Sequence, residues 1–260
     1  MALTACSFLT SWDGMTGGTG AASDGGLGDT SADGGGSCTA DCGTPYCQGL
    51  HPSPTFCRDF DDGRLYSTDF ELLFKRPDFV AADPGAWSSA PLSFISEVAT
   101  GSMDRRAYMF RTFDAGRPRN IRMSFDVLME RYIPSQVASV VSIEGHPDQP
   151  DSRKMDVYLG ADGSSIEERI MNPDGSAPQY RNYLFVDRQP RAGTWSHLDI
   201  RIDVPARRIA ARLDGTLVID NEIKADWSVS DIELKLGIVW ATENTSTWRF
   251  RYDDIVLDLH

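Results

Sequence analysis

Ile121, Met123, Phe125, Val127 and Met129 alternate with Arg122, Ser124, Asp126, Leu128 and Glu130. Leu198, Ile200, Ile202 and Val204 alternate with His197, Asp199, Arg201 and Asp203. Ile232, Leu234, Leu236, Ile238 and Trp240 alternate with Glu233, Lys235, Gly237 and Val239. Successive side chains of a strand point to opposite faces, so strict alternation describes antiparallel strands buried on one side. Further strands are expected at 105–113, 136–144, 153–160, 164–171, 207–213, 216–221 and 247–258. Turn signals separate them at Ala161-Asp162-Gly163, Asn172-Pro173-Asp174-Gly175 and Asp214-Gly215. No helical periodicity of useful length competes. So many strands in one segment imply an all-β sandwich or barrel.

The last of these strands changes phase. Trp248, Phe250 and Tyr252 share one phase, and Ile255, Leu257 and Leu259 share the other. One extra residue near Asp253-Asp254 restores the register, as a β-bulge does.

The start of the chain has a different character. Residues 7–36 hold ten glycines, eight serines or threonines and four aspartates. Such a segment buries too little apolar surface to offset its ordering entropy, and it is expected to be a disordered linker. Ahead of it, Leu3-Thr4-Ala5-Cys6 resembles a bacterial lipobox, in which small residues precede the cysteine that receives the lipid. Residues 1–6 are therefore the expected remnant of a signal peptide, with Cys6 lipidated and no basic or apolar stretch ahead of Leu3. The resemblance implies an exported protein on the cell surface or outer membrane, partnered with the membrane through its lipid. Residues 37–57 carry Cys38, Cys42, Cys47 and Cys57, which in an exported chain are expected to form two disulfides of open connectivity. A zinc site that includes His51 competes, but neither a C-x2-C nor an H-x3-5-H spacing is present. Residues 58–260 form the folded domain.

The net charge is −13, with no lysine or arginine before Arg58. A nucleic-acid ligand needs a concentrated basic surface, so none is expected. The same balance opposes electrostatic docking on anionic lipid.

Two segments narrow the fold. Gly193-Thr194-Trp195-Ser196-His197-Leu198-Asp199-Ile200-Arg201-Ile202, then Arg212-Leu213-Asp214-Gly215-Thr216-Leu217-Val218, resemble a strand and hairpin of concanavalin A-like (laminin-G-like) jelly rolls. Phe56-Cys57-Arg58-Asp59-Phe60-Asp61 and Tyr252-Asp253-Asp254-Ile255-Val256-Leu257-Asp258 are similar to that family's first and last strands. The resemblance covers roughly 56–260 and implies a jelly-roll sandwich with paired terminal strands. It also implies a structural calcium beside those strands, with Asp59, Asp61, Asp253 and Asp254 as candidate oxygen ligands.

Several members of this fold cleave polysaccharides. Laminarinase-type hydrolases use a strand bearing E-x-D-x-x-E, because a retaining mechanism needs paired carboxyls about 5.5 Å apart. No such motif is present. The nearest approach is Asp126 and Glu130 on one strand face, while the neighbours Glu167 and Glu168 point to opposite faces. His197 has no evident nucleophile beside it. The lyase arrangement of Arg, Gln, His and Tyr on neighbouring strands depends on three-dimensional placement. The better-supported function is a non-catalytic module that holds an extracellular glycan or another surface ligand on a concave sheet. Its candidate contacts are the outward residues Arg122, Asp126, Glu130, Asp156, Tyr158 and Arg169. The alternatives are a polysaccharide-degrading enzyme or a structural coat protein whose partners are other surface proteins. Trp240 and Trp248 lie on apolar phases and are expected in the core, and Trp12 is expected exposed.

The anchoring expectation has a direct check. Expressed behind a lipoprotein signal peptide, the chain should partition into the detergent phase on phase separation, and Cys6→Ser should move it to the aqueous phase. Retention of the variant in detergent refutes lipidation at Cys6.

Overall fold

The computed structural model describes residues 46–60, 70–74, 78–89, 92–101, 105–147, 149–160, 162–241 and 246–260. Cys6, the 7–36 linker, Trp12, Cys38, Cys42 and Asp61 lie outside the described residues. Two antiparallel sheets face each other across one core. The eight-stranded sheet runs β13 (Thr216–Glu222), β12 (Arg208–Leu213), β11 (Trp195–Asp203), β6 (Asn120–Arg131), β15 (Trp248–Leu259), β4 (Ser93–Val98), β3 (Phe79–Asp83), with β1 (Phe56–Arg58) added to β15. The seven-stranded sheet runs β10 (Gln179–Leu184), β9 (Ser165–Ile170), β8 (Arg153–Leu159), β7 (Ala138–Gly145), β14 (Asp231–Ala241), β5 (Ala107–Asp114), β2 (Glu71–Phe74). Among the described residues the helical content is one turn, α1 (Tyr46–Gly49).

All ten strands expected from alternation are present. The turn at Asp214-Gly215 closes a two-residue hairpin between β12 and β13, and both residues have positive φ, 46° and 78°. That is the combination a primed turn requires and Asp-Gly supplies. Four strands escaped the pattern: β2, β3, β4 and β10. β10 reads Gln-Tyr-Arg-Asn-Tyr-Leu, a polar edge strand in which only Tyr183 is buried. β2 and β3 are short edge strands, where one buried neighbour replaces two.

The bulge expected near Asp253-Asp254 is present. Asp253 pairs with Asp126 and Val256 with Ser124, so β15 carries one more residue than β6 between these points. Asp254 takes the left-handed conformation, φ 49°, which aspartate tolerates better than most residues. The bulge also marks where β15 changes neighbour. Residues 248–252 pair with β4, and residues 255–257 pair with β1. Cys57 of β1 is disulfide-bonded to Cys47, which ties the segment bearing α1 to the sheet.

The core is aromatic on the eight-stranded side. Trp248, Phe250 and Tyr252 are fully buried along one face of β15, with Phe125 and Phe94 on its neighbours. The Tyr252 ring lies 5.6 Å from Phe94 and 6.3 Å from Phe125, and its hydroxyl donates to the Val140 carbonyl of the opposite sheet at 3.1 Å. One polar residue does similar bridging work. Ser96 of β4 donates its hydroxyl to the Ala107 carbonyl of β5 and accepts from the Ile238 amide of β14 at 2.9 Å. The β7–β14 register shifts between Leu236 and Trp240, leaving the Ile238 amide to bond this serine.

Within this irregular stretch Gly237 has φ +119°, and a Cβ there would meet the Ala107 carbonyl at 2.4 Å and the Tyr108 Cα at 2.8 Å. Both obstacles are backbone, so no side-chain adjustment relieves them. Gly237→Ala should therefore lose about 2–4 kcal/mol, the cost of strain combined with overpacking. Differential scanning calorimetry should show a fall of roughly 4–16 °C; an unchanged melting temperature would contradict the close approach at this position.

Candidate functional site

Outward side chains of the two sheets form two separate surfaces. Arg122, Asp126 and Glu130 stand on β6 and therefore on the eight-stranded sheet, while Asp156, Tyr158 and Arg169 stand on β8 and β9 of the other sheet. The six residues selected from alternation all face outward, yet the sandwich divides them three and three. Period two fixes which side of a strand a residue occupies, but it carries no information about which sheet the strand joins.

On the eight-stranded sheet the outward polar residues bind one another. Asp126 holds the His197 ring at 2.5 Å and accepts the Ser88 hydroxyl. Arg122 forks onto Asp199 at 3.2 and 3.0 Å. Glu130 receives Arg251 at 2.7 Å, and Arg251 also reaches Asp83 at 2.8 Å. The segment around Ser88 and Ser89 packs over the bulge. Asp253 accepts the Ser88, Ser89 and Asp254 amides at 2.9, 2.9 and 3.0 Å, and Asp254 accepts the Ser89 hydroxyl at 2.8 Å. Asp59, the other described calcium candidate, accepts the Cys47 amide at 3.0 Å. Among the described residues no three acidic, histidine or cysteine side chains gather as a metal site. Burial, then the Asp254 and Asp126 charges, raise the Tyr46 phenol to about 12.

The outer face of the seven-stranded sheet is built differently. Lys235 of β14 lies between Glu144 of β7 and Glu233, 2.8 Å from each. Burial opposes its charge, but the two carboxylates outweigh burial and raise its pKa. Asp156 is buried beneath longer neighbours, 3.2 Å from Lys154 and 4.0 Å from Arg169, with the Ser139 hydroxyl at 3.4 Å. Around this polar centre stand aromatic rings. Tyr158 and Trp240 meet edge to face at 6.2 Å, and Tyr180, 57% exposed, lies under the Arg169 guanidinium at 5.1 Å. Burial first, then the Asp156 and Glu167 charges, push the Tyr158 phenol upward, so it remains a neutral donor and acceptor. Glu168 turns inward, as expected from its adjacency to Glu167, and accepts the Tyr183 hydroxyl and the Lys224 and Ala225 amides.

Trp240 corrects the core expectation. Trp248 is fully buried, but the register shift after Leu236 carries Trp240 to the outer face, opposite Ser139 and only half-buried. Gly237 was the available signal, since a glycine within a strand often marks a bulge. Lys235, Glu144, Glu233 and Tyr180 were not singled out either. Tyr180 lies on a strand the pattern did not reveal, and the two glutamates meet only through pairing of strands far apart in sequence. A cavity of about 560 Å³ beside β11, lined by Arg188, Arg191, Trp195 and Asp214, contains none of the selected residues.

The sequence matches no known family profile and no curated protein. Solved structures do match. An endo-β-1,4-glucuronan lyase from the fungus Trichoderma reesei is 12% identical, with a TM-score of 0.60 over 80% of this chain and 96% of that one. A cellulose-induced protein is 10% identical, with a TM-score of 0.57 over 79% and 97%. A glycoside hydrolase family 16 endo-glucanase from Bacteroides ovatus is 10% identical, with a TM-score of 0.55 over 78% and 99%. At such identities the likeness is one of fold, and the fold is the concanavalin A-like jelly roll.

The buried acids of the eight-stranded sheet set a pH dependence. Burial, then Asp254, raise Asp253 from the usual carboxylate range to about 8. Burial opposes protonation of His197, but the bound Asp126 outweighs it and the net shift is upward. Both groups hold a proton more tightly when folded, so the stability they contribute falls as pH rises through those pKa values. Chemical denaturation should show stability declining from about pH 4 to 8. Asp253→Asn should remove the decline below about 6.5 and lessen it above, and His197→Asn should lessen it only above about 6.5. A profile rising with pH refutes both assignments.

Proposed function

We propose that this protein is an exported, lipid-tethered binding protein that holds a glycan on the outer face of its seven-stranded sheet without cleaving it. The observation that carries this reading is the group of Tyr158, Trp240 and Tyr180 around Asp156 and Arg169. Sugar rings present apolar C–H faces and a rim of hydroxyls. Aromatic rings match the first, and fixed carboxylates and guanidinium groups match the second. The endo-β-1,4-glucuronan lyase and the endo-glucanase named above act on polysaccharides within the same fold, which supports a glycan as ligand class; fold alone does not carry the activity over.

Two features favour binding over catalysis. Glu144 and Glu233 face each other across paired strands, but Lys235 lies 2.8 Å from each and shares its single charge between them. A hydrolase needs one carboxyl kept protonated and one ionised, and a shared ammonium works against that division. Tyr158, whose phenol is pushed upward, is a poor base for abstracting a proton as a lyase does. The structural calcium implied by the resemblance fits the described candidates poorly: Asp59 accepts the Cys47 amide, Asp253 and Asp254 are bonded to the Ser88–Ser89 segment, and no three such side chains gather among the described residues.

The test has two arms, a glycan array and an assay for released reducing ends or unsaturated products. Binding without release is expected, with Trp240→Ala and Tyr158→Ala each weakening it about five- to tenfold. Release that disappears in Glu144→Gln or Glu233→Gln would make the protein an enzyme. Silence in both arms would leave it a coat protein.

A further inference from the structure

We infer that the glycan held on this face is an uncharged one rather than a polyuronate. The inference rests on the binding reading above and concerns the charge of the ligand. An anionic polysaccharide needs cations it can reach, free to exchange water for carboxylate. The described strands offer three on this face, Lys154, Arg169 and Lys235, and each is already committed. Lys154 is 3.2 Å from Asp156, Arg169 is 3.2 Å from Glu167, and Lys235 is 2.8 Å from both Glu144 and Glu233. Four carboxylates thus surround three cations, and the local charge is −1 before any ligand arrives. Glu71, exposed on the edge strand β2 opposite Phe110, adds to it.

A uronate chain would meet this surface at a twofold disadvantage. It would have to break an existing ion pair to gain a new one, leaving a partly buried carboxylate unpaired, and it would approach against the net field. A neutral chain meets neither cost. Its hydroxyls accept from the guanidinium and ammonium protons not used by the carboxylates and donate to carboxylate lone pairs still free, so the ion pairs stay intact. The aromatic groups supply the rest. The Tyr158–Trp240 pair and Tyr180 are uncharged stacking surfaces, and Arg169, lying over Tyr180, is fixed as part of that surface.

Affinity electrophoresis of the full chain in gels containing mixed-linkage β-glucan, galactomannan, alginate or polyglucuronate tests this at low and high salt. The neutral polymers should retard the protein, with little effect of salt, and the polyuronates should not. The charge argument has its own variant test. Glu144→Gln/Glu233→Gln leaves Lys235 without a partner, and it should bind alginate or polyglucuronate about tenfold more tightly than the parent, with the gain removed by salt. Glu167→Gln, a rim change that partly releases Arg169, should show a smaller gain of the same sign if the double variant fails to fold. Retardation of the parent by polyuronates and not by neutral polymers overturns the inference and leaves the binding reading standing. Folded variants that gain no polyuronate affinity also overturn it. Failure of every polymer to retard the protein overturns the binding reading itself.

Discussion

Ser96 sits between the sheets and touches three strands. Its hydroxyl donates to β5, accepts from the Ile238 amide of β14, and hangs from β4 in the opposite sheet. An amide buried without a partner costs about 1–3 kcal/mol, so the irregular stretch of β14 depends on this contact. The candidate site depends on that stretch in turn. Without the register shift Trp240 would point into the core, and the outer face would lose the ring that meets Tyr158. A small buried hydroxyl thereby decides what the opposite side of the sheet presents to solvent.

The two outer faces share a fold and differ in how their polar groups are used. On the eight-stranded sheet the acids are consumed by cover: Ser88 and Ser89 pack over Asp126, Asp253 and Asp254. On the seven-stranded sheet the ions balance one another laterally, strand to strand, and leave aromatic rings uncovered. A surface that satisfies its charges without covering them remains available to a ligand, and this distinguishes the candidate site from the other face.

Much of the architecture was legible in the sequence because alternation is a local property. Ile121 to Met129 and Leu198 to Val204 announce their strands and buried faces without reference to anything distant. The β15 bulge was legible for the same reason, since a phase change within one strand is visible in that strand alone. The site was less so. That Asp126 and Asp156 belong to different sheets follows from the strand order, which pairs β6 with β15 and β7 with β14 across more than a hundred and about ninety residues respectively. The Glu144–Lys235–Glu233 bridge exists only because of that order. Trp240 was misplaced because Gly237 was read as one more outward position, although its missing side chain is what permits the close approach of β5.

The place of β15 in the sheet has a consequence for how the protein is made. It comes last in sequence among the described strands, ending at Leu259, yet it lies in the interior of its sheet between β6 and β4. It also receives β1, so the two ends of the domain meet on it. When the first two hundred residues have been made, β14 and β15 are both missing, so each sheet is still divided into two groups of strands with open edges. The chain cannot commit to its native topology until β15 has been made, and its many distant pairings make that commitment slow. Until that strand arrives β6 and β4 have partners on one side only, and the chain stays unlocked.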